Sequence, residues 1–376
     1  MKLIFMNDIG VNLDSANLMS YYYLKEYYPF EVLDLSSIFK TEGTIKNIEE
    51  AESIPSITIF EESLAALVKN EQIIIITNMV EVPWRKLAPI AKRYKVPVIC
   101  TQKNNFFDIL RNKIAFDFTI KVNWKYRVGY IIWKYRITRS LYNLLTRKNV
   151  KYDYLISAYN SKPETVRHFV RAHNVKYDEY LANKNSENLV GQKYILFIDS
   201  ALCYHPIDFS KPDPNWDSDI YIRQLNSYFE LLEQKYKMPV VISLHPVTYG
   251  RVTAETFNGR QISYGKTAQL IQHCEFVVSH YSTSLINTVL AKKPAVIISS
   301  KQIENSLRKR QQSWAFAFAK YCDFALDSLD DPVVPEVSVN SEKYEKFTKK
   351  YLVDTTRPEK SNSQIMLELL RSIEKN

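Results

Sequence analysis

Two short polar signatures follow β-branched runs in the second half of the chain: Leu244-His245-Pro246 and His280-Tyr281-Ser282-Thr283-Ser284. An imidazole can donate a hydrogen bond to a phosphate. Hydroxyls at the start of a helix add donors to backbone N–H groups that have no partner inside the helix. Each signature alone has an ordinary explanation, with Ser282 or Thr283 as a helix N-cap and His245 as a structural histidine. At the ends of successive strands, the two together predict one site for a phosphate or nucleotide. The residues expected to form it are His245, Pro246, Ser282, Thr283 and Ser284, with Lys266 as an auxiliary cation.

The elements that must carry these residues are legible from periodicity. From Pro239 to Ser299 the chain reads strand, loop, helix, strand, tight loop, helix, strand, which is a parallel βαβαβ unit. A strand over 195–198 precedes it, then a helix over about 219–237 with Asp219 as its expected N-cap. In the first half, residues 2–6 read as a buried strand, 30–35 as a second, and Ile73 to Thr77 as the surest, because an almost pure Ile run suits a sheet covered on both faces. Helices are expected over 57–70 and 83–94, strands over 97–101 and 151–157, and a helix starting at Ser161-Lys162-Pro163-Glu164. Later helices are expected over 302–321 and 362–374, with a short strand near Phe324. The fold class is therefore α/β, with two Rossmann-like domains facing a cleft, 1–185 and 186–376, divided in the Asn- and Ser-rich stretch 183–192. Asp8 and Asn12, after the first strand, are expected on the acceptor side of that cleft.

The pairing of strand, His-Pro with strand, Ser/Thr-Ser, helix, Lys-Pro, strand resembles the nucleotide half of bacterial GT-B glycosyltransferases that use cytidine nucleotides. These include sialyltransferases, Kdo transferases and CDP-glycerol glycerophosphotransferases. The run Tyr194 to Asp199 followed by Tyr204-His205-Pro206-Ile207-Asp208-Phe209 is similar to surface-polysaccharide transferases related to the retaining β-Kdo transferases. The likeness spans roughly 150–300. It implies transfer of Kdo or a related ulosonic acid from a CMP-activated donor to a glycan or glycolipid acceptor of capsule or lipopolysaccharide. It also implies an aspartate nucleophile after the 195–198 strand. Asp208 is the first candidate and Asp199 the second, although Ile207 separates His205-Pro206 from Asp208 and departs from the pattern. An inverting enzyme would use the same carboxylate as a base. A sialyltransferase or a CDP-polyol phosphotransferase would share this donor half. Asp213 and Asp217 sit in a turn-rich loop and read as structural.

Composition limits the other choices. With 376 residues, 46% hydrophobic and 24% charged, the chain is long enough for two α/β cores. It holds only 7 glycines and neither G-x-G-x-x-G nor Walker A, which argues against common dinucleotide and P-loop sites. The 4 cysteines are scattered, and Asp217-Ser218-Asp219 precedes a helix instead of following a strand, so no metal and no cofactor is expected. The opening apolar run is too brief for a signal peptide, and no stretch approaches the ~18 apolar residues of a membrane span, so a cytoplasmic protein is expected.

Between Lys103 and Lys148, eleven basic residues face two acids and interleave with Phe106, Trp124, Tyr130, Trp133 and other aromatics. A solvated face, single-stranded nucleic acid and an anionic membrane surface are the three readings. Peripheral contact with the inner face of the cell membrane is the one a lipid-linked acceptor requires, and nucleic acid, which leaves the strand-end motifs unexplained, is not expected as a partner.

Overall fold

The computed structural model describes residues 1–8, 20–39, 51–79, 81–101, 152–158, 166–203 and 213–375. Asn12, the segment 103–148, the expected helix start at Ser161, and the Tyr204-to-Asp208 motif lie outside the described residues. Chain contacts divide the described residues into two compact units. The first holds the chain up to Thr101, Tyr152 to Val175, and Val353 onward; the second runs from Lys176 to Leu352.

The first unit carries β1 (Lys2–Asn7), β2 (Phe30–Asp34), β3 (Ala51–Ser53), β4 (Ile73–Thr77), β5 (Val98–Thr101), β6 (Tyr152–Ser157) and β7 (Val166–Arg171). All pairs are parallel, in the order β3-β2-β1-β4-β5-β6-β7. Alternate residues of β1 and β4 serve opposite faces, as the two-residue strand period requires. Ile4, Met6, Ile73 and Ile75 pack with Phe60 and Leu64 of the helix Ile57–Leu67 and with Trp84 and Leu87 of the helix Glu81–Arg93. Leu3, Phe5, Ile74 and Ile76 pack with Tyr21, Leu24 and the helix Asn362–Glu374.

The second unit carries β8 (Ile195–Ile198), β9 (Val240–Leu244), β10 (Ile262–Tyr264), β11 (Phe276–Ser279), β12 (Ala295–Ser299) and β13 (Ala325–Ser328). They too are all parallel, in the order β10-β9-β8-β11-β12-β13. One face of this sheet buries Ile195, Phe197, Val240, Ile242, Phe276 and Val278 against the helix Ser218–Tyr236. In each unit the chain runs outward from a first strand, returns, and continues on its other side, the Rossmann order with its switch point beside β1 and beside β8. The α/β reading with two Rossmann-like units is thus what the strands show.

Five details differ from expectation. Residues 166–171 form an edge strand paired with β6 from Tyr152 to Ser157, not the body of a helix begun at Ser161; Val166 is buried in the core while Arg167 and His168 are exposed, as an edge position allows. Asp217, not Asp219, caps the long helix, accepting the amides of Asp219 and Ile220. The 302–321 helix is two helices, Lys301–Asn305 and Lys309–Cys322, broken where Ser306 turns extended. β10 was read as loop, being only three residues long. The units divide at 175/176 instead of 185/186, because Glu179 bonds to buried Asn287 of the second unit, and the last stretch rejoins the first unit, where Ile365, Met366 and Leu370 are buried. Among the described residues no helix is long and apolar enough to cross a membrane.

Candidate functional site

At the carboxyl edge of the second sheet, strand order sets the sequence of polar ends: Lys266 after β10, His245 after β9, Asp199 and Ser200 after β8, and His280 to Ser284 after β11. Neighbouring strands lie about 4.8 Å apart, so Asp199 sits one strand from each predicted phosphate motif. This is the switch point at which open α/β sheets bind ligands.

The Asp199-Ser200 pair joins the two motifs. One Asp199 oxygen accepts the Ala201 amide at 2.9 Å, and the other accepts the His245 amide at 3.3 Å. Ser200 donates its hydroxyl to the Tyr281 carbonyl and accepts the Tyr281 amide at 3.3 Å. Ala201 adopts a left-handed backbone, φ 51°, which a residue with a Cβ tolerates at some cost. Surrounding protein pushes the Asp199 carboxyl from 3.8 up to about 6, against the pull of the amides from Ala201, His245 and Ser200.

His245 is partly exposed, and its Nδ1 accepts the Val247 amide at 3.2 Å, capping the turn Pro246–Thr248. In the neutral ring that bond places the proton on Nε2, making it a donor. Pro246 and Thr283 are exposed, and Ser282 and Ser284 partly so. The Ser282 hydroxyl accepts the Ser284 amide at 3.1 Å, and the helix behind, Leu285–Leu290, has only six residues, all buried. A short helix brings a small dipole, so an anion here would depend on local donors. Lys266 is exposed and precedes the helix Thr267–His273.

In the first unit Asp8 follows β1 at the corresponding switch point. Burial raises its carboxyl, and its own amide donates to Asn7 Oδ1 at 2.9 Å. Asp208 and Asn12 lie outside the described residues.

Three side chains outside the expected ligand set belong to this edge, His280 from the second signature and Tyr221 and Arg308 from outside both. His280, 1% exposed, holds the Ile298 carbonyl through Nδ1 at 2.8 Å and lies edge-on to Phe197. Its Nε2 has no hydrogen-bond partner, and burial drives its pKa from 6.5 to about 4. Tyr221 packs against His280 with ring centroids 5.5 Å apart. Arg308, 4% exposed, donates through Nε to the Leu202 carbonyl at 2.8 Å and pairs with Asp213 at 3.1 Å. Its guanidinium lies 3.7 Å over the Trp216 ring. The sequence placed His280 directly after β11 but gave it no role; nothing local marks Arg308, whose partners are far away in sequence. Among the described residues no three His, Cys, Asp or Glu side chains gather to hold a metal.

No family profile matches the chain, and no curated protein sequence matches it. Solved structures align along the whole chain at low similarity. UDP-GlcNAc 2-epimerase of Methanocaldococcus jannaschii aligns with 11% identity and TM-score 0.43, covering 100% of each chain. The wall teichoic acid polymerase TagF aligns with 13% identity and TM-score 0.47, covering 100% of this chain and 89% of that one. Spinosyn forosaminyltransferase SpnP aligns with 10% identity and TM-score 0.45, covering 100% and 95%. At such distance the site is read from its own residues.

Proposed function

We propose that this protein is a glycosyltransferase that moves Kdo or a related ulosonic acid from a CMP-activated donor to a bacterial surface glycan or glycolipid. The observation that carries the proposal is the Asp199-Ser200 junction, which ties the His245 and Tyr281 backbones to the end of β8 at the switch point. On this reading the phosphate takes the Nε2 proton of His245 and the hydroxyls of Ser282, Thr283 and Ser284, with Lys266 adding charge from the edge strand. Both Asp199 oxygens already accept amides, which suits it to hold the phosphate site and leaves Asp208 as the nucleophile.

In a retaining course the Asp208 carboxylate attacks the anomeric carbon as the bond to CMP breaks. The acceptor hydroxyl then displaces the aspartate, which leaves as its carboxylate, while the hydroxyl proton passes to the phosphate of the released CMP. Asp8 and Asn12 serve the acceptor, and the basic, aromatic segment 103–148 meets the membrane when that acceptor is lipid-linked.

Calorimetry with CMP, CDP and UDP, followed by mass analysis after donor addition, tests the reading. Selective cytidine binding and a sugar adduct on Asp208 are expected. Indifference to cytidine nucleotides removes the proposal, and transfer without an adduct, with Asp208→Asn inactive, makes the enzyme inverting. Product analysis separates a sialyl or polyol-phosphate transferase.

A further inference from the structure

One aromatic ring beside the candidate phosphate residues stands largely in water. Tyr249 is 76% exposed, against 45% for Tyr27, the next most exposed aromatic residue among those described. It directly follows the turn Pro246–Thr248 that His245 caps. Its ring meets that of Tyr264, with centroids 5.2 Å apart and planes 75° apart. Tyr264 in turn pairs with Leu244 in the register of β10 and β9, so Tyr249 lies at the carboxyl end of these two strands. A near-perpendicular contact on a residue so exposed leaves one ring face open. Exposure alone assigns nothing, because scattered apolar groups are ordinary on a protein surface.

What distinguishes Tyr249 is how firmly its backbone is held. Thr248 has no exposed surface, and its amide and hydroxyl both donate to the His245 carbonyl, at 2.9 and 2.7 Å. The Thr248 carbonyl accepts the amides of Arg251 and Val252, at 2.9 and 3.2 Å. The Tyr264 hydroxyl shares its proton between the carbonyls of Thr248 and Val252, at 3.2 and 3.1 Å. Gly250, φ 71°, lets the chain reverse through a left-handed step that a side chain would strain. The turn thus holds a solvent-facing ring at a set distance from His245, and a ligand that meets the ring need not first order the loop. Arg251 and Lys266, two residues beyond Tyr249 and Tyr264, are exposed cations.

We infer that Tyr249 is the stacking platform for the nucleobase of the donor, with the base lying on the open face of the tyrosine while the phosphate reaches His245. The inference rests on the nucleotide reading above and adds the residue by which the site tells a nucleotide from a bare sugar phosphate. Four residues of a turn rising about 2 Å per residue separate Tyr249 from His245, on the order of 8 Å and the scale of one mononucleotide. Both residues lie in the second unit. A single ring between two cations offers a bilayer little apolar area, whereas it suits one flat heterocycle that carries a phosphate.

The test is titration calorimetry of the full chain with CMP, and with ribose 5-phosphate measured by its displacement of CMP. The native protein is compared with Tyr249→Ala and Tyr249→Phe. The site of substitution is exposed, and thermal midpoints verify that each variant is folded. Tyr249→Ala should weaken CMP about tenfold, the loss expected of one base stack. Tyr249→Phe, which keeps the ring, should keep the native affinity, and ribose 5-phosphate should bind all three proteins alike.

Unchanged CMP affinity in Tyr249→Ala overturns the inference and leaves the nucleotide reading standing. An equal loss for CMP and ribose 5-phosphate also overturns it, because the ring would then serve the sugar phosphate and not the base. A native protein that binds no cytidine nucleotide removes the inference together with the proposed function.

Discussion

The Asp199 carboxylate accepts the backbone amide of His245, so the end of the central strand fixes the position of the residue that ends its neighbour. The two should therefore act as one unit toward a nucleotide. Asp199→Ala leaves the amides of Ala201 and His245 without their acceptor, and His245→Ala removes the Nε2 donor. Each single variant should weaken cytidine nucleotide binding about tenfold, and the double variant little more than the worse single. Calorimetry on the cycle checks this; additive losses would mean that the two residues serve the ligand independently.

Asp199 and His280 give opposite pH signatures. The folded state raises Asp199 from 3.8 to about 6, so its contribution to stability is full below about pH 4 and declines as pH rises to about 6. The folded state lowers His280 from 6.5 to about 4, so its contribution is full above 6.5 and declines as pH falls toward 4. Each is on the order of 3 kcal/mol at most, so between pH 4 and 6 they largely cancel. The neighbouring Arg308, Cys203 and Tyr221 keep one charge state throughout this window. Relative to the native protein, Asp199→Asn should lose stability as pH falls from 6 to 4, and His280→Phe should gain it. Urea unfolding at closely spaced pH values reads both slopes; parallel curves for all three proteins would contradict the assignment.

Much of this was legible in the sequence, and the limits have physical causes. Ile73–Thr77 and Phe276–Ser279 were read with their observed bounds because a two-faced Ile run and a short β-branched run are local signals, and Asn362–Glu374 was too, the structure adding the Ser361/Gln364 capping box that fixes its start. The strand-end motifs fell at the switch point because periodicity fixes which residues follow each strand. What stayed hidden depends on distant partners. Nothing near Val166 announces that its strand will pair with β6, and nothing near Arg308 announces Leu202 and Asp213. The small dipole behind Ser282 was invisible for another reason: the sequence placed a helix start there but not how soon that helix would end.

Arg308 bonds to both described flanks of the segment that contains Asp208, to Leu202 on one side and to Asp213 on the other. Removing it leaves the Asp213 carboxylate, which is nearly as buried as Arg308 itself, without its cation. Arg308→Met should cost about 3–5 kcal/mol of stability. Arg308→Lys keeps the charge but loses the planar stack on Trp216 and the geometry of two directed bonds, so about 1–2 kcal/mol is expected. On the proposed mechanism, Lys at 308 should lower turnover more than nucleotide affinity. Chemical denaturation and single-turnover transfer check the two halves separately, and native turnover in Arg308→Lys would free the flanks from any role in transfer.

The last helix closes the first unit, although it comes after the whole of the second in sequence. Leu370, with no exposed surface, belongs to the cluster that includes Leu3, Phe5, Ile74 and Ile76, so Leu370→Ala should cost about 2–5 kcal/mol through lost burial and the cavity left behind. Ser361 accepts the Gln364 amide at 3.2 Å while Gln364 accepts the Ser361 amide at 2.8 Å. Ser361→Ala breaks one half of that exchange and should cost about 0.5–2 kcal/mol. Because the candidate nucleotide residues all lie in the second unit, neither substitution should alter cytidine nucleotide affinity under conditions where the protein stays folded. Denaturation curves paired with calorimetry measure both quantities, and a parallel loss of affinity and stability would show that the two units do not fold and bind independently.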